Sequence, residues 1–187
     1  WFRDTFGESY NDLDERAGYI PVGADGWFVY LFKDKDITSL NDLIRSATNI
    51  DTIESDAKFN NVTTAEHSFH DSSSIKSISF YNAEFLKLTS FFYFATSAMY
   101  LESINLTNIK APLLTNLSYC FTNCYRLLNF IANNLNPTGR NLNLNYMFRT
   151  CGNISNIELK ELTIEGTTES MFRDNTKLKQ VKFYAIK

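Results

Sequence analysis

The chain has 187 residues, a net charge of −3, a sequence pI near 5.4, and 44% apolar against 21% charged residues, the balance of a soluble globular protein. That charge supplies no basic field for nucleic acid or anionic lipid, and no apolar run approaches the roughly 20 residues of a membrane span. Nucleic-acid partners and membrane insertion of this segment are therefore not expected. The chain opens "WFRDTFGESY", without an initiator Met or a signal-peptide pattern, which reads as a mature product or a fragment. Residues 1–36 stand apart from the rest of the chain. In them "GYIPVGADGWFVYLF" reads as two strands around the turn "GADG". Trp1, Phe2, Phe6, Tyr19, Trp27, Phe28 and Tyr30 supply enough aromatic area to cap the first layer of the next segment. The alternative is a connector to a larger assembly, with those aromatics against a partner.

Residues 37–187 repeat. With Phe121 as position zero, the equivalent residues are Ile44, Phe69, Ala95, Phe121, Phe148 and Phe172, at spacings of 25, 26, 26, 27 and 24. Position +3 is small or compact: Ala47, Ser72, Ala98, Cys124, Cys151, Asn175. Position +6 is aliphatic: Ile50, Ile75, Leu101, Leu127, Ile154, Leu178. Position +9 is Ile53, Ile78, Ile104, Phe130, Ile157, Val181, and +11 is Ser55, Phe80, Leu106, Ala132, Leu159, Phe183. The period of two at +9 and +11 predicts a short strand with those side chains inward. Positions −4, −1, 0 and +3, such as Leu117, Cys120, Phe121 and Cys124, have the spacing i, i+3, i+4, i+7 and predict a short helix. One such unit cannot bury its apolar face alone, so the copies must stack into a solenoid with a parallel sheet.

The phrases "LTNLSYCFTNCYRLLNFIA", "LNLNYMFRTCGNISNIEL" and "SMFRDNTKLKQVKF" resemble the BspA-like leucine-rich repeats of bacterial and protist surface proteins, across about residues 37–183. The resemblance implies an α/β leucine-rich-repeat solenoid of about six coils, with the sheet on one face and short helices on the other. It also implies adhesion or host interaction at a cell surface. The first copy lacks the aromatic, and the third has Ala95 in its place.

Candidate chemistry is sparse. Cys120 and Cys124 form C-x-x-x-C rather than C-x-x-C, on the buried stripe, and Cys124 shares a column with Cys151. Three readings stand: buried fillers, a Cys124–Cys151 bridge, or a metal or catalytic site. His67 and His70 flank Phe69, beside Glu66 and Asp71, so they are solvated or capping groups unless they bind a transition metal. No GxSxG, phosphate loop, HExxH or paired-carboxylate arrangement occurs. An enzyme is therefore not expected, nor is a cofactor or a bound metal.

One surface can be named. Positions +8 and +10 alternate with the inward pair and form the exposed sheet face: Thr52 and Glu54, Ser77 and Ser79, Ser103 and Asn105, Asn129 and Ile131, Asn156 and Glu158, Gln180 and Lys182. Short amides and hydroxyls suit hydrogen bonding to a protein loop or a glycan, and the plainer reading is a solvated face. Tyr81, Tyr100, Tyr125 and Tyr184 lie beside the strands or bends and can add stacking area. The expected function is non-enzymatic extracellular or cell-surface binding of a protein or glycan through this face. The alternative is a structural or receptor-binding part of a larger assembly, such as a phage tail fibre or virion appendage. In that case a partner meets the N-terminal segment or the C-terminal edge, where only "YAIK" follows the last strand.

Overall fold

A computed structural model describes residues 20–21, 27–30, 37–48, 50–136, 141–162 and 166–184. Its strands are β1 Ile20–Pro21, β2 Trp27–Tyr30, β3 Thr52–Glu54, β4 Ser77–Ser79, β5 Ser103–Leu106, β6 Asn129–Asn136, β7 Asn156–Leu162 and β8 Gln180–Tyr184. They lie in chain order in one sheet. β1 pairs antiparallel with β2, and every later pair is parallel. The two expected N-terminal strands are therefore present and join the main sheet. The GADG turn, residues 1–19 and the side chains of Trp27, Phe28 and Tyr30 lie outside what is described.

The strand register reproduces the repeat frame. Ile53 pairs with Ile78, then Ile104, Phe130, Ile157 and Val181 in succession. Two further parallel seams join the coils away from the sheet. One links Ser39, Thr64, Ser90, Asn116, Asn143 and Thr167, and the other links Lys58, Glu84 and Lys110. The inward columns form one core running along the axis, with Phe69, Phe80, Phe121, Phe130 and Phe148 fully buried.

The expected helical face is absent, and the BspA-like leucine-rich-repeat assignment and the α/β class fall with it. Among the described residues there is no helix, and the fold is a β-solenoid. Overlapping β-turns occupy the place of each helix. In the copy around Phe121 they are Leu117–Cys120, Tyr119–Thr122 and Phe121–Cys124, closed by bonds from Cys120 N to Leu117 O (3.2 Å), from Thr122 N to Tyr119 O (3.2 Å) and from Cys124 N to Phe121 O (3.4 Å). The alternate amides of Leu117, Tyr119, Phe121 and Asn123 instead donate to Asn143, Asn145, Met147 and Arg149 of the next coil, at 2.8–2.9 Å. An α-helix needs every N–H to reach the carbonyl four residues back. Here half the amides bond sideways.

The backbone dihedrals enforce this. Positions −2 and +2 have positive φ in all six copies: Asp42 and Ser46, His67 and Asp71, Tyr93 and Ser97, Tyr119 and Asn123, Tyr146 and Thr150, Ser170 and Asp174. A left-handed residue cannot continue a right-handed helix, but it is what the third position of a type II turn requires. The spacing misled because the overlapping turns, with Leu117, Cys120, Phe121 and Cys124 inward, place apolar residues at i, i+3, i+4 and i+7. That is the same stripe a helix shows. Of these twelve residues, Asp42, His67, Asp71, Asn123 and Asp174 are of the types enriched in left-handed backbone, and Tyr and Thr stand at others, so residue type alone does not mark the turns.

One inward residue differs from expectation. Phe183, in the +11 column, is 41% exposed, and Phe172, Leu178 and Val181 are only half-buried. The last described coil has no described coil on its outer side, so its inward columns are covered from one side only.

Phe148 is fully buried, with ring centroids 5.7 Å from Phe121, 4.8 Å from Phe130 and 6.2 Å from Phe172. Phe148→Ala is expected to destabilise by about 3–5 kcal/mol in denaturant unfolding, as for a buried aromatic. Exposed Asn156→Ala is expected to lie within about 0.5 kcal/mol of wild type. Equal small effects at both positions would contradict the inward and outward assignment.

Candidate functional site

The exposed sheet face is built by strand alternation. At β5, for example, Ile104 and Leu106 point into the core and Ser103 and Asn105 point out. Of the expected face residues, Ser103, Asn105, Asn129, Ile131, Asn156 and Gln180 are exposed, and Ser77, Ser79, Glu158 and Lys182 are half-buried. The +8 row is partly zipped along the axis. Ser103 Oγ donates to Ser77 Oγ at 3.1 Å, and Asn156 Nδ2 donates to Asn129 Oδ1 at 3.2 Å. In the +10 row, Asn105 Oδ1 accepts from the Thr107 amide at 3.0 Å, and Glu158 pairs with Lys160 at 2.7 Å.

Two shallow hollows share this face, and Asn105 lines both. The first is acidic and hydroxylic, with Glu54, Asp56, Ser79 and Tyr81. The second is lined by Glu102, Ser103, Asn105, Thr107 and Asn129 together with the aliphatic side chains of Leu128 and Ile131. Leu128 is 49% exposed and Ile131 is 45% exposed. Sequence reading missed Leu128, although the signal is there: its column is otherwise Asp51, Lys76, Glu102, Ser155 and Lys179. Ile131 is the same kind of outlier among Glu54, Ser79, Asn105, Glu158 and Lys182. One coil thus places two aliphatic side chains where every other coil places polar ones.

The tyrosines named from the sequence are all exposed, but cations cover the faces of two of them. Arg126 lies 4.3 Å above the Tyr100 ring, and Lys160 lies 5.6 Å above Tyr184. A second aromatic array went unforeseen. At position −2, His67, Tyr93, Tyr119 and Tyr146 stack in file at 5.1, 4.8 and 4.7 Å, with interplanar angles of 8°, 2° and 13°. These rings spend their faces on one another and offer only edges outward, so the array is a structural ladder rather than a stacking platform for a sugar.

The cysteines are buried fillers. All three are free. Cys124 donates its S–H to Ala95 O at 3.2 Å, and Cys151 donates to Phe121 O at 3.0 Å. Ser72 Oγ makes the same contact to Ile44 O at 2.5 Å. The +3 side chain thus ties itself to the position-zero carbonyl of the preceding coil. That geometry turns each sulfur onto a carbonyl, and the Cys124–Cys151 bridge does not form. Burial raises all three thiol pKa values, that of Cys151 to about 12, so no thiolate is available for chemistry. Among the described residues no three His, Cys, Asp or Glu side chains cluster as a metal site. No helix among them is long and apolar enough to cross a membrane.

His67 and His70 occupy i and i+3 of one turn, with the His70 amide donating to His67 O at 3.2 Å. Their Nδ1 atoms lie 3.2 Å apart, and both rings are half-buried. Burial holds the His70 pKa below the ordinary histidine value, aided by Arg45 and His67 and opposed by Asp71 and Asp42.

No protein-family model, no curated protein and no solved structure matches this chain.

Two measurements check this picture. A disulfide-exchange thiol reagent is expected to modify none of the three cysteines in the native protein and all three after unfolding. Because folding lowers the His70 pKa, the unfolded chain binds more protons as pH falls through about 6.5. Stability is therefore expected to be full above that pH and to decline below it. His70→Thr should flatten the decline in a series of unfolding curves, and an unchanged slope would contradict it.

Proposed function

We propose that this β-solenoid is a non-enzymatic binding module whose exposed sheet face recognises a macromolecule, with a protein favoured over a glycan. The observation that carries this reading is the pair Leu128 and Ile131. Both are exposed, both stand in otherwise polar columns, and both border one hollow rimmed by Ser103, Asn105 and Asn129. An aliphatic centre with a hydrogen-bonding rim is how protein interfaces are built. Glycan recognition uses open aromatic faces: those of Tyr100 and Tyr184 carry cations, and exposed Tyr81, beside the first hollow, is the feature that favours a glycan. We place this role at a cell surface or outside the cell. With the BspA-like resemblance set aside, that placement rests on the binding surface alone.

A second reading, a structural part of a larger assembly such as a fibre or virion appendage, draws on a different observation. β8 exposes Phe183 and leaves Val181 half-buried, the apolar columns that another stacked layer would cover.

The test is a screen of the purified chain against protein and glycan arrays beside Leu128→Glu/Ile131→Glu. The expected result is a protein ligand whose binding falls at least about tenfold in the variant, as for loss of an interface centre. A ligand bound equally by both would overturn the face assignment. Sedimentation addresses the second reading, which requires an oligomer that Phe183→Glu disrupts.

A further inference from the structure

The histidine pair has a geometry that the binding-face reading does not use. We propose that His67 and His70 form a two-imidazole chelate for a divalent first-row transition ion of the Zn²⁺ or Cu²⁺ kind, bound through both Nδ1 atoms and completed by water.

The distance fits. Zn–N bonds are about 2.0–2.1 Å, so two nitrogens on one ion lie roughly 2.9 Å apart at a right angle and about 3.4 Å apart at the tetrahedral angle. The two Nδ1 atoms lie 3.2 Å apart, between those limits. The pair is also preorganised. A hydrogen-bonded turn fixes the two residues relative to each other, and His67 stacks on Tyr93 at 5.1 Å and 8°. The His70 ring lies 5.8 Å from Tyr93, so the same tyrosine packs against both ligands. On the far side of His70, Nε2 faces Asp71 Oδ1 at 3.5 Å. A carboxylate at the other ring nitrogen is the usual outer partner of a metal-bound histidine, since it fixes the tautomer that leaves the first nitrogen free to ligate.

The repeat shows that the pair is particular to this coil. The −2 column holds Tyr93, Tyr119 and Tyr146 in the next three coils, and the +1 column holds Thr96, Thr122 and Arg149. Thr96 and Thr122 donate to the Tyr119 and Tyr146 carbonyls of the adjacent coil. His70 meets His67 instead. The competing explanation of the short distance is a single N–H···N hydrogen bond, which needs no ion.

The repeat also supplies variants that keep the fold, because His67→Tyr and His70→Thr install the residues of neighbouring coils. The experiment is calorimetric titration of Zn²⁺ into the chelator-stripped full chain at pH 7.5, with ¹⁵N imidazole NMR. The expected result is one ion per chain, with Nδ1 of both histidines shifted and Nε2 of neither. Each consensus variant should weaken binding at least about tenfold, and Asp71→Asn about 10- to 100-fold. Zn²⁺ uptake that persists in both variants would overturn the proposal. So would no uptake, or Nδ1 signals at saturating Zn²⁺ that still report an N–H···N bond.

Discussion

Everything in this molecule depends on the hydrogen bond from one coil to the next. At position zero the amide of Ile44, Phe69, Ala95, Phe121 and Phe148 reaches the carbonyl of Ser68, Phe94, Cys120, Met147 and Met171, at 2.7–3.0 Å. The same ladder runs through the sheet and through both side seams. Among the described residues the coils are thereby held together at the sheet, at the turns and at the Ser39–Thr167 seam, and three of them also at Lys58, Glu84 and Lys110. Buried backbone polar groups must find partners. In a turn-built wall half of those partners lie within the turn and half lie in the adjacent coil. A coil therefore has no self-sufficient structure, and stability comes from stacking.

The side chains inherit that spacing. Equivalent residues recur at about the 4.8 Å separation of paired strands, so like sits on like. Tyrosine stacks on tyrosine along the −2 column, and phenylalanine stacks on phenylalanine from Phe121 through Phe148 to Phe172. Charges alternate where a column allows it, as in Lys76 beside Asp51 and Lys110 beside Glu84. Such exposed pairs contribute about 0–1 kcal/mol each and serve register more than stability. The aromatic ladder also explains how Tyr93, Tyr119 and Tyr146 occupy left-handed backbone, which is uncommon for bulky residues. Burial of both ring faces offsets the local strain.

Both proposed sites lie where the columns break. A solenoid whose positions were all equivalent would have no distinguishable site. Leu128 and Ile131 interrupt two polar columns in one coil, and His67 and His70 interrupt a Tyr column and a Thr-bearing column in another. The first interruption creates an apolar centre on a hydrogen-bonding face. The second sets two imidazole nitrogens at ligand separation.

The amino-acid sequence by itself determined the register of the repeats from Ile53 to Val181 and which of their strand residues face inward, but not that β2 joins the same parallel register. The +9 pairing from Ile53 to Val181 follows from a period of two and a repeat of 24–27 residues, both properties of one dimension. That Ser77, Ser103, Asn129, Asn156 and their +10 neighbours lie opposite the core follows from the same period, while their degree of exposure, half-buried at Ser77, Ser79 and Glu158, does not. The tertiary structure alone decided what replaces the helix. Leu117, Cys120, Phe121 and Cys124 point inward in either conformation, so their spacing cannot distinguish a helix from overlapping turns. What distinguishes them is whether the Tyr119 and Asn123 amides bond within the chain or to Asn145 and Arg149 of the next coil. That is a choice between neighbours in space. The same holds for the sulfurs of Cys124 and Cys151 turned onto carbonyls of the preceding coil and for the Leu128 and Ile131 hollow, whereas the two histidine Nδ1 atoms meet within a single turn of one coil.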